Sequence, residues 1–153
     1  MNYVGIDPST LTGICVLNEN GEVITVDEVK TKVKEEPQRF MDLADKVISY
    51  IGQGDSVTIE GFSYGSRGQG VSTQYGIGWA IRMKLVELQG MDYIYKYTDV
   101  APSALKKFVT GKGNASKDIM MRDVFKKWGF ENNSNNICDA YALARYGLEK
   151  GME

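Results

Sequence analysis

Residues 2–29 read NYVGIDPSTLTGICVLNENGEVITVDEV, which is three apolar runs separated by two turn sequences. The residue types of DPST and the Asn-Gly pair of NENG are typical of tight turns. Such short connections join antiparallel neighbours, because a parallel crossover needs a dozen or more residues. The segment therefore predicts three consecutive antiparallel strands.

A helix and two further strands are predicted after this meander. Apolar residues recur at helical spacing between Pro37 and Ile51. The β-branched run of residues 56–62, SVTIEGF, predicts a fourth strand, which a helical crossover places parallel to the first. A fifth strand is predicted in MDYIYKYT, residues 91–98. We therefore expect an α/β fold with a five-stranded mixed sheet, three antiparallel strands and then parallel strands, flanked by helices.

The remaining segments predict a loop and four helices. Residues 61–78 hold six glycines among aromatic side chains, which predicts a mobile loop that leads into a helix through Trp79. A short helix begins at Pro102, and a longer one follows KGNASK with Ile119, Val124 and Trp128 on its packed face. The last helix is predicted to begin near Asn136.

Composition limits the class of protein and the chemistry. A chain of 153 residues with 42% hydrophobic and 25% charged residues is typical of one folded domain, here residues 1–153. No apolar run approaches the roughly 18 residues of a membrane span, and the N-terminus does not resemble a signal peptide, so we expect a cytoplasmic protein without membrane contact. Because the chain has no histidine, any hydrolysis must use carboxylates, lysine or a metal.

The charge is unevenly distributed. Residues 1–60 hold 11 acids and 5 bases, a net charge of −6, whereas residues 61–153 carry a net +4. Residues 102–127 hold seven bases and two acids. This basic segment suits contact with phosphates, and the alternative is an ordinary solvated helix face.

Three acids and an amide form a candidate site. Asp7 ends the first predicted strand, Glu60 ends the fourth, and Asp139 lies on the last helix one turn after Asn136. Alone, Asp7 could close an Asx turn and Asp139 could favour the helix dipole. Together, three unpaired carboxylates would repel one another unless divalent cations hold them. The set predicts magnesium, with the Asn136 amide oxygen as a weaker ligand.

Four segments resemble, in chain order, the signature blocks of RuvC-type Holliday junction resolvases, and especially their short phage-encoded members. The segments are VGIDPSTLTG, VTIEGF, GKGNASK and CDAYALA. The resemblance implies a ribonuclease H-like fold, a homodimer, and paired incision of four-way junctions and other branched DNA. It also implies two Mg²⁺ ions per active site, about 4 Å apart, with Mn²⁺ as a substitute. A phage-encoded member would act in the host cytoplasm.

The resemblance also assigns roles to residues. Asp7, Glu60 and Asp139 match the metal-binding acids, and Asn136 stands where the cellular enzymes usually carry a fourth acid. Lys117 matches a lysine near the scissile phosphate. A second basic position matches Lys106 or Lys107, and the glycine-rich loop matches a junction-opening segment. The candidate DNA-binding side chains are Lys106, Lys107, Lys112, Phe62, Tyr64 and Arg67.

The sequence leaves three alternative functions to consider and predicts one dimer interface. A junction-binding module with weak or no catalysis would follow if Asn136 impairs metal binding. A structure-selective nuclease that cuts flaps or forks is chemically close to a resolvase. An actin-like kinase shares the GIDPSTLTG pattern but needs a second phosphate loop and far more chain. The predicted dimer interface is the helix after the glycine loop, through Trp79, Ile81 and Met83.

Overall fold

The computed structural model describes residues 1–65 and 67–151 as a five-stranded sheet with helices on both faces. The strands of the described residues are β1 Tyr3–Asp7, β2 Thr12–Leu17, β3 Val23–Val29, β4 Ser56–Glu60 and β5 Lys96–Val100. The helices are α1 Gln38–Ile48, α2 Val71–Gly90, α3 Pro102–Thr110, α4 Lys117–Trp128 and α5 Asn135–Gly151. None of the described helices is both long enough and apolar enough to cross a membrane.

The sheet has the order β3-β2-β1-β4-β5. The first three strands pair antiparallel, and β4 pairs parallel with both β1 and β5. The predicted mixed sheet is therefore confirmed. Because Ile6 pairs with Ile59, the carboxyl ends of β1 and β4 lie side by side, which places Asp7 and Glu60 at one edge of the sheet.

The two faces of the sheet bury separate apolar clusters. On one face α1 and α2 pack with the side chains of Val4, Ile6, Leu43, Val47, Ile81 and Leu85. On the other face α3, α4 and α5 pack with those of Leu17, Leu105, Val109, Val124, Tyr141 and Leu143. Burial of these side chains supplies most of the driving force that holds the helices to the sheet.

Two glycines bring α5 unusually close to the first two strands. A Cβ atom on Gly5 would lie 1.9 Å from the carbonyl oxygen of Ala140, and one on Gly13 would lie 2.1 Å from that of Asn136. Only a residue without a side chain leaves room for the helix backbone at these two positions. This contact places Asp139, on α5, beside the end of β1.

The glycine-rich loop is shorter than the sequence predicts. Helix α2 already begins at Val71, so the second half of the predicted loop 61–78 is helical. Gly76 and Gly78 serve packing instead of mobility, because a Cβ there would lie 2.5 Å from the Phe40 ring and 2.3 Å from the Phe62 ring. The prediction was wrong because Phe40 lies on α1 and Phe62 lies at the far end of the same segment, so neither contact is visible in the local pattern around Gly76 and Gly78.

The fifth strand is displaced from its predicted position. Residues 91–95 form the turn after α2 in place of strand, with Asp92 at a φ of 56° and the Tyr93 N–H donating to the Leu88 carbonyl. The strand begins only at Lys96 and continues to Val100. Part of the apolar run that suggested a strand instead packs at this turn, where Ile94 is buried.

Three helices differ in detail from their predicted limits and faces. Helix α1 ends at Ile48, three residues before the predicted Ile51. In α4 Val124 is buried as predicted, but Ile119 is 36% exposed and its neighbour Met120 is buried instead. In α2 Ile81 belongs to the core, so it cannot lie at the surface where the sequence predicts an interface.

Candidate active site

Three carboxylates converge at the carboxyl edge of the sheet. Asp7 ends β1, Glu60 ends β4, and Asp139 lies in the second turn of α5. One carboxylate oxygen from each lies within 4.8 Å of the others. Asp7 is only 8% exposed, and the other two are half-buried. The structure thus brings together the three acids that the sequence singles out.

Burial favours the protonated form of each of the three carboxylates over its ionised form. Burial, together with the nearby charges of Glu60 and Asp139, holds the pKa of Asp7 well above its usual value. Burial and the charge of Asp139 raise the pKa of Glu60 to about 7. Burial also raises the pKa of Asp139 to about 6. Added positive charge would favour the ionised forms of all three groups at neutral pH, so the donor set fits a hard divalent cation.

Two lysines supply part of that positive charge. Lys117 is the first residue of α4 and lowers the pKa of both Asp7 and Asp139. Lys106, on α3, acts in the same direction on Glu60 and Asp139. The position of Lys117 is set by the cap before it, because the Ser116 hydroxyl accepts a hydrogen bond from the Ile119 N–H at 3.3 Å.

The other predicted basic residues lie further from the carboxylates. Lys107 is exposed on α3, and Lys112 is exposed in the turn between α3 and α4. Neither contributes to the pKa shifts of the three acids. The charges of Lys106 and Lys117 therefore lower the pKa values of the acids, whereas Lys107 and Lys112 are not among the causes of these shifts. Exposure does not separate the pairs, because Lys117 is exposed as well.

Asn136 joins the start of α5 to the turn between β1 and β2. Its Nδ2 donates to the Leu11 carbonyl oxygen at 2.9 Å. Because a carbonyl can only accept, this bond fixes which end of the amide faces Leu11. Oδ1 of Asn136 accepts no hydrogen bond from any residue that the structure describes. The amide oxygen is therefore free for a ligand, one helical turn before Asp139.

Aromatic side chains follow Glu60 in the loop before α2. The Phe62 ring lies 4.3 Å below the guanidinium of Arg82 and contacts Tyr75 and Trp79, with ring centroids 5.0 Å and 4.9 Å away. Tyr64, by contrast, is 75% exposed. Phe62 is thus anchored within the protein, and Tyr64 offers the more open ring.

A cleft connects this aromatic loop with Glu60. It has a volume of about 410 Å³, and its walls include Glu60, Phe62, Arg67 and Tyr75. Arg67 is exposed at this cleft. A substrate that reaches Glu60 through this cleft can therefore also contact the glycine-rich loop.

Arg82 supports the site and was missed at the sequence level. Its buried guanidinium donates to the carboxylate of Asp99, to the Glu60 carbonyl at 2.8 Å and to the Gly78 carbonyl at 3.1 Å. It thereby joins the ends of β4 and β5 to α2 and holds the Phe62 ring. The only signal in the sequence is a charged residue directly after the core residue Ile81.

Known proteins resemble this chain in sequence and in fold. Residues 3–145 match the family described as crossover junction endodeoxyribonuclease RuvC. The structure is similar to Thermus thermophilus RuvC, with a TM-score of 0.74 and 21% identity over 99% of this chain and 96% of that one. It is also similar to T. thermophilus RuvC in complex with Holliday junction substrate, with a TM-score of 0.63 and 22% identity over 94% and 90% of the two chains. No curated protein sequence matches the chain significantly.

Proposed function

Because the chain belongs to the RuvC family of crossover junction endodeoxyribonucleases, which resolve Holliday junctions, we propose that Asp7, Glu60 and Asp139 hold the divalent cations for this reaction. The observation that carries the proposal is the approach of their carboxylate oxygens to within 4.8 Å at one edge of the sheet. Burial of three carboxylates that repel one another destabilises the fold, and bound cations would offset this repulsion.

The cations of this proposal are two Mg²⁺ ions per active site, with Mn²⁺ as a substitute. Carboxylate oxygens are the ligands that these hard ions prefer, and the free Oδ1 of Asn136 adds a neutral, weaker donor. When bound, the ions supply Lewis-acid activation of water and neutralise charge on the phosphate. The carboxylates orient the ions and the half-buried edge of the sheet limits competing water.

Lys117 and Lys106 act on the substrate side of the same site. Both already interact with the carboxylates through charge, so a phosphodiester at this edge lies within reach of their ammonium groups. We assign Lys117 to the stabilisation of negative charge that develops on the scissile phosphate. Such electrostatic contributions are typically worth roughly 2–4 kcal/mol.

The surrounding surface would bind the branched DNA. Lys107 and Lys112 extend the positive charge away from the carboxylates and suit backbone phosphates. In the loop before α2, Tyr64 is the side chain best placed to stack on an unpaired base, with Phe62 as its support. Arg67 would contact phosphate or a base at the mouth of the cleft.

Symmetric cleavage of a four-way junction needs two active sites, so we propose a homodimer. Trp79, Met83 and Val86 are each half or more exposed and follow one another at helical spacing on α2. This apolar stripe replaces the predicted interface that included Ile81. The proposed location is the cytoplasm, where DNA is accessible, and it is the host cytoplasm if a phage encodes the chain.

Cleavage of labelled four-way junctions and of linear duplex tests the proposal, in Mg²⁺ and in EDTA. We expect metal-dependent paired cuts in the junction, little cutting of the duplex, and no cuts by Asp7→Asn. Flaps and forks belong in the same assay, because their cutting at equal rates would indicate a broader structure-selective nuclease. Junction binding without any cuts in Mg²⁺ or Mn²⁺ would instead favour the binding module.

Lys117→Ala tests the assignment of the phosphate-stabilising lysine. We expect the single-turnover cleavage rate to fall about 10²- to 10³-fold, with junction affinity changed far less, because the ammonium acts mainly on charge that develops during the reaction. Lys112→Ala is the matched control, since it removes an exposed lysine from the turn before α4. Equal cleavage rates for wild type and Lys117→Ala would exclude this role.

A further inference from the structure

A second cleft lies outside the site described above. It has a volume of about 400 Å³ and lies between the segment after β3, the start of α1 and the first turns of α2. Its polar walls are formed by three cationic and three hydroxyl side chains: Lys32, Lys34, Arg39, Thr10, Thr31 and Thr73. The polar part of this lining suits an anion, and the remainder, Val33, Phe40, Leu43 and Ile77, is apolar.

The lysines belong to a regular basic strip. Residues 30–34 read KTKVK and continue the chain beyond the end of β3. Their exposure alternates, with Lys30, Lys32 and Lys34 exposed and the residues between them half-buried. Alternate residues of an extended chain lie roughly 6.6 Å apart on one side. That spacing is comparable with the spacing of successive phosphates along a DNA strand.

Acidic side chains of the protein do not neutralise the lysines of the strip. Neither Lys32 nor Lys34 forms an ion pair or a side-chain hydrogen bond with any residue in the described part of the chain. The nearby carboxylate of Asp42 is held by the Thr31 hydroxyl and by Lys46. The exposed Glu35 stands beside Lys34 in sequence and reduces, without cancelling, the positive charge.

Arg39 is oriented by the protein but keeps free donors. Its Nη2 donates to the Thr73 hydroxyl at 2.9 Å and to the Glu36 carboxylate. Its Nε is buried without a partner, and Nη1 has no hydrogen-bond partner among residues 1–65 and 67–151. Because Nε is buried, only the Nη1 donors can reach phosphate oxygens, and the bonds of Nη2 fix their direction. The ion pair with Glu36 offsets part of the charge.

The second cleft lies near the cleft at Glu60, although the two have no lining residue in common. Thr10 lines it from the β1–β2 turn, three residues after Asp7. In the first turn of α2, Thr73 faces this cleft while its neighbour Gln74 faces the cleft at Glu60. A nucleic-acid backbone that passes over the carboxylates can therefore continue across the turn into the basic strip.

We propose that Lys32, Lys34 and Arg39 bind the phosphodiester backbone of a DNA arm that leaves the active site. This inference rests on the proposed function and adds a second contact to the one formed by α3 and α4. The strip contributes to the affinity for the duplex arm and not to the rate of bond cleavage, because none of its residues adjoins the three carboxylates. The contact is independent of base sequence, since it involves backbone phosphates alone.

Equilibrium binding of labelled four-way junctions in EDTA, at a series of salt concentrations, tests the strip. For Lys32→Gln/Lys34→Gln we expect about tenfold weaker binding to a long-armed junction, and a log–log salt slope smaller in magnitude by about 2. Binding to a junction with arms trimmed short should change much less. Single-turnover cleavage in Mg²⁺ at saturating protein should remain that of the wild type.

A matched control and the outcomes separate this inference from the proposed function. Lys96→Gln/Lys150→Gln makes the same change in charge at the start of β5 and the end of α5, away from the catalytic edge, and should keep the wild-type slope. If the wild type binds and cuts junctions but Lys32→Gln/Lys34→Gln keeps its affinity and slope, the strip does not contact DNA. If the wild type neither binds nor cuts junctions, the proposed function fails and this inference with it.

Discussion

The three carboxylates at the sheet edge lower the free energy of unfolding of the metal-free protein at neutral pH. Their pKa values are raised in the folded state, so the folded protein binds more protons near neutral pH than the unfolded chain does. The free energy of unfolding therefore rises as the pH falls, and this gain is complete near the usual carboxyl pKa of about 4. A divalent cation removes the same cost at neutral pH.

We therefore expect the melting temperature in EDTA to be higher at pH 5.5 than at pH 8. The change corresponds to about 1–3 kcal/mol, since Glu60 and Asp139 titrate with pKa values of about 7 and about 6. Asp7→Asn should flatten the dependence by removing one repelling charge, and Mg²⁺ at pH 8 should raise the melting temperature. Calorimetry checks this, and a wild-type midpoint that falls from pH 8 to pH 5.5 would contradict it.

Asn136 combines a structural bond with a candidate ligand atom. Its Nδ2 donates to Leu11, and a carboxylate at the same position would face that carbonyl without a donor. Asn136→Asp should therefore lower the melting temperature in EDTA at pH 8, by loss of the bond and by a fourth negative charge.

The same variant should bind metal more tightly. We expect the Mg²⁺ concentration for half-maximal junction cleavage to fall, because a carboxylate supplies more charge than an amide oxygen. Metal titrations of cleavage rate by wild type and Asn136→Asp measure it, with Asn132→Asp as a control for added charge in the preceding loop. An unchanged or higher Mg²⁺ requirement would show that residue 136 does not reach the ions.

At the level of elements, the site depends on how closely α5 approaches β1. Gly5 and Gly13 permit this approach, since any side chain there would overlap the helix backbone. Arg82 acts similarly on the other side by joining α2 to the end of β4. The acids therefore meet because three elements are held at short distances, and not because the acids attract one another.

Gly5→Ala should destabilise the protein and impair the site together. A Cβ 1.9 Å from the Ala140 oxygen must move α5 away from β1, at a cost of roughly 2–4 kcal/mol. Asp139 would move with the helix, so the Mg²⁺ requirement for cleavage should rise. Denaturant unfolding and metal titration measure the two effects.

Gly90→Ala is the control for this substitution. It places the same methyl group at the end of α2, where nothing lies within 4 Å, and should leave stability within about 0.5 kcal/mol or slightly improved. Similar unfolding midpoints for Gly5→Ala and Gly90→Ala would show that the close approach of α5 is not required.

At the scale of the whole molecule, α2 presents an apolar stripe to solvent. Its inner side is in the core through Ile77, Ile81 and Leu85, while Trp79 and Met83 face outward. A helix that is apolar on both sides is typical of a contact with a second chain. The stripe is the surface through which two active sites would be paired.

Met83→Glu should therefore yield monomers. The introduced charge would be buried in the interface, whereas Met41→Glu on α1 changes a similarly exposed methionine, 57% against 60%, outside the stripe. Sedimentation velocity should show dimers for wild type and Met41→Glu. Monomeric Met83→Glu should nick junctions without paired cuts, and a wild-type protein that sediments as a monomer would refute the assignment.

The sequence by itself determined the features that local patterns encode. Alternation, turn residues and helical spacing predict the antiparallel meander, the parallel fourth strand and the last helix, because each depends on residues a few positions apart. The three acids stand at the ends of such elements, and the ordered motifs around them indicate the family. The shared edge of Asp7 and Glu60 follows from the crossover rule alone.

The tertiary structure alone decided what depends on distant residues. Gly76 and Gly78 lie inside α2 and pack against the rings of Phe40 and Phe62, and no local pattern encodes those partners. Arg82 can be buried because Asp99 and the Glu60 carbonyl accept its hydrogen bonds. The lysines of residues 30–34 follow the end of β3, which lies beside the β1–β2 turn because Val29 pairs with Thr12. The cleft next to them forms only when α1 and α2 pack there, and local periodicity does not encode such contacts between remote segments.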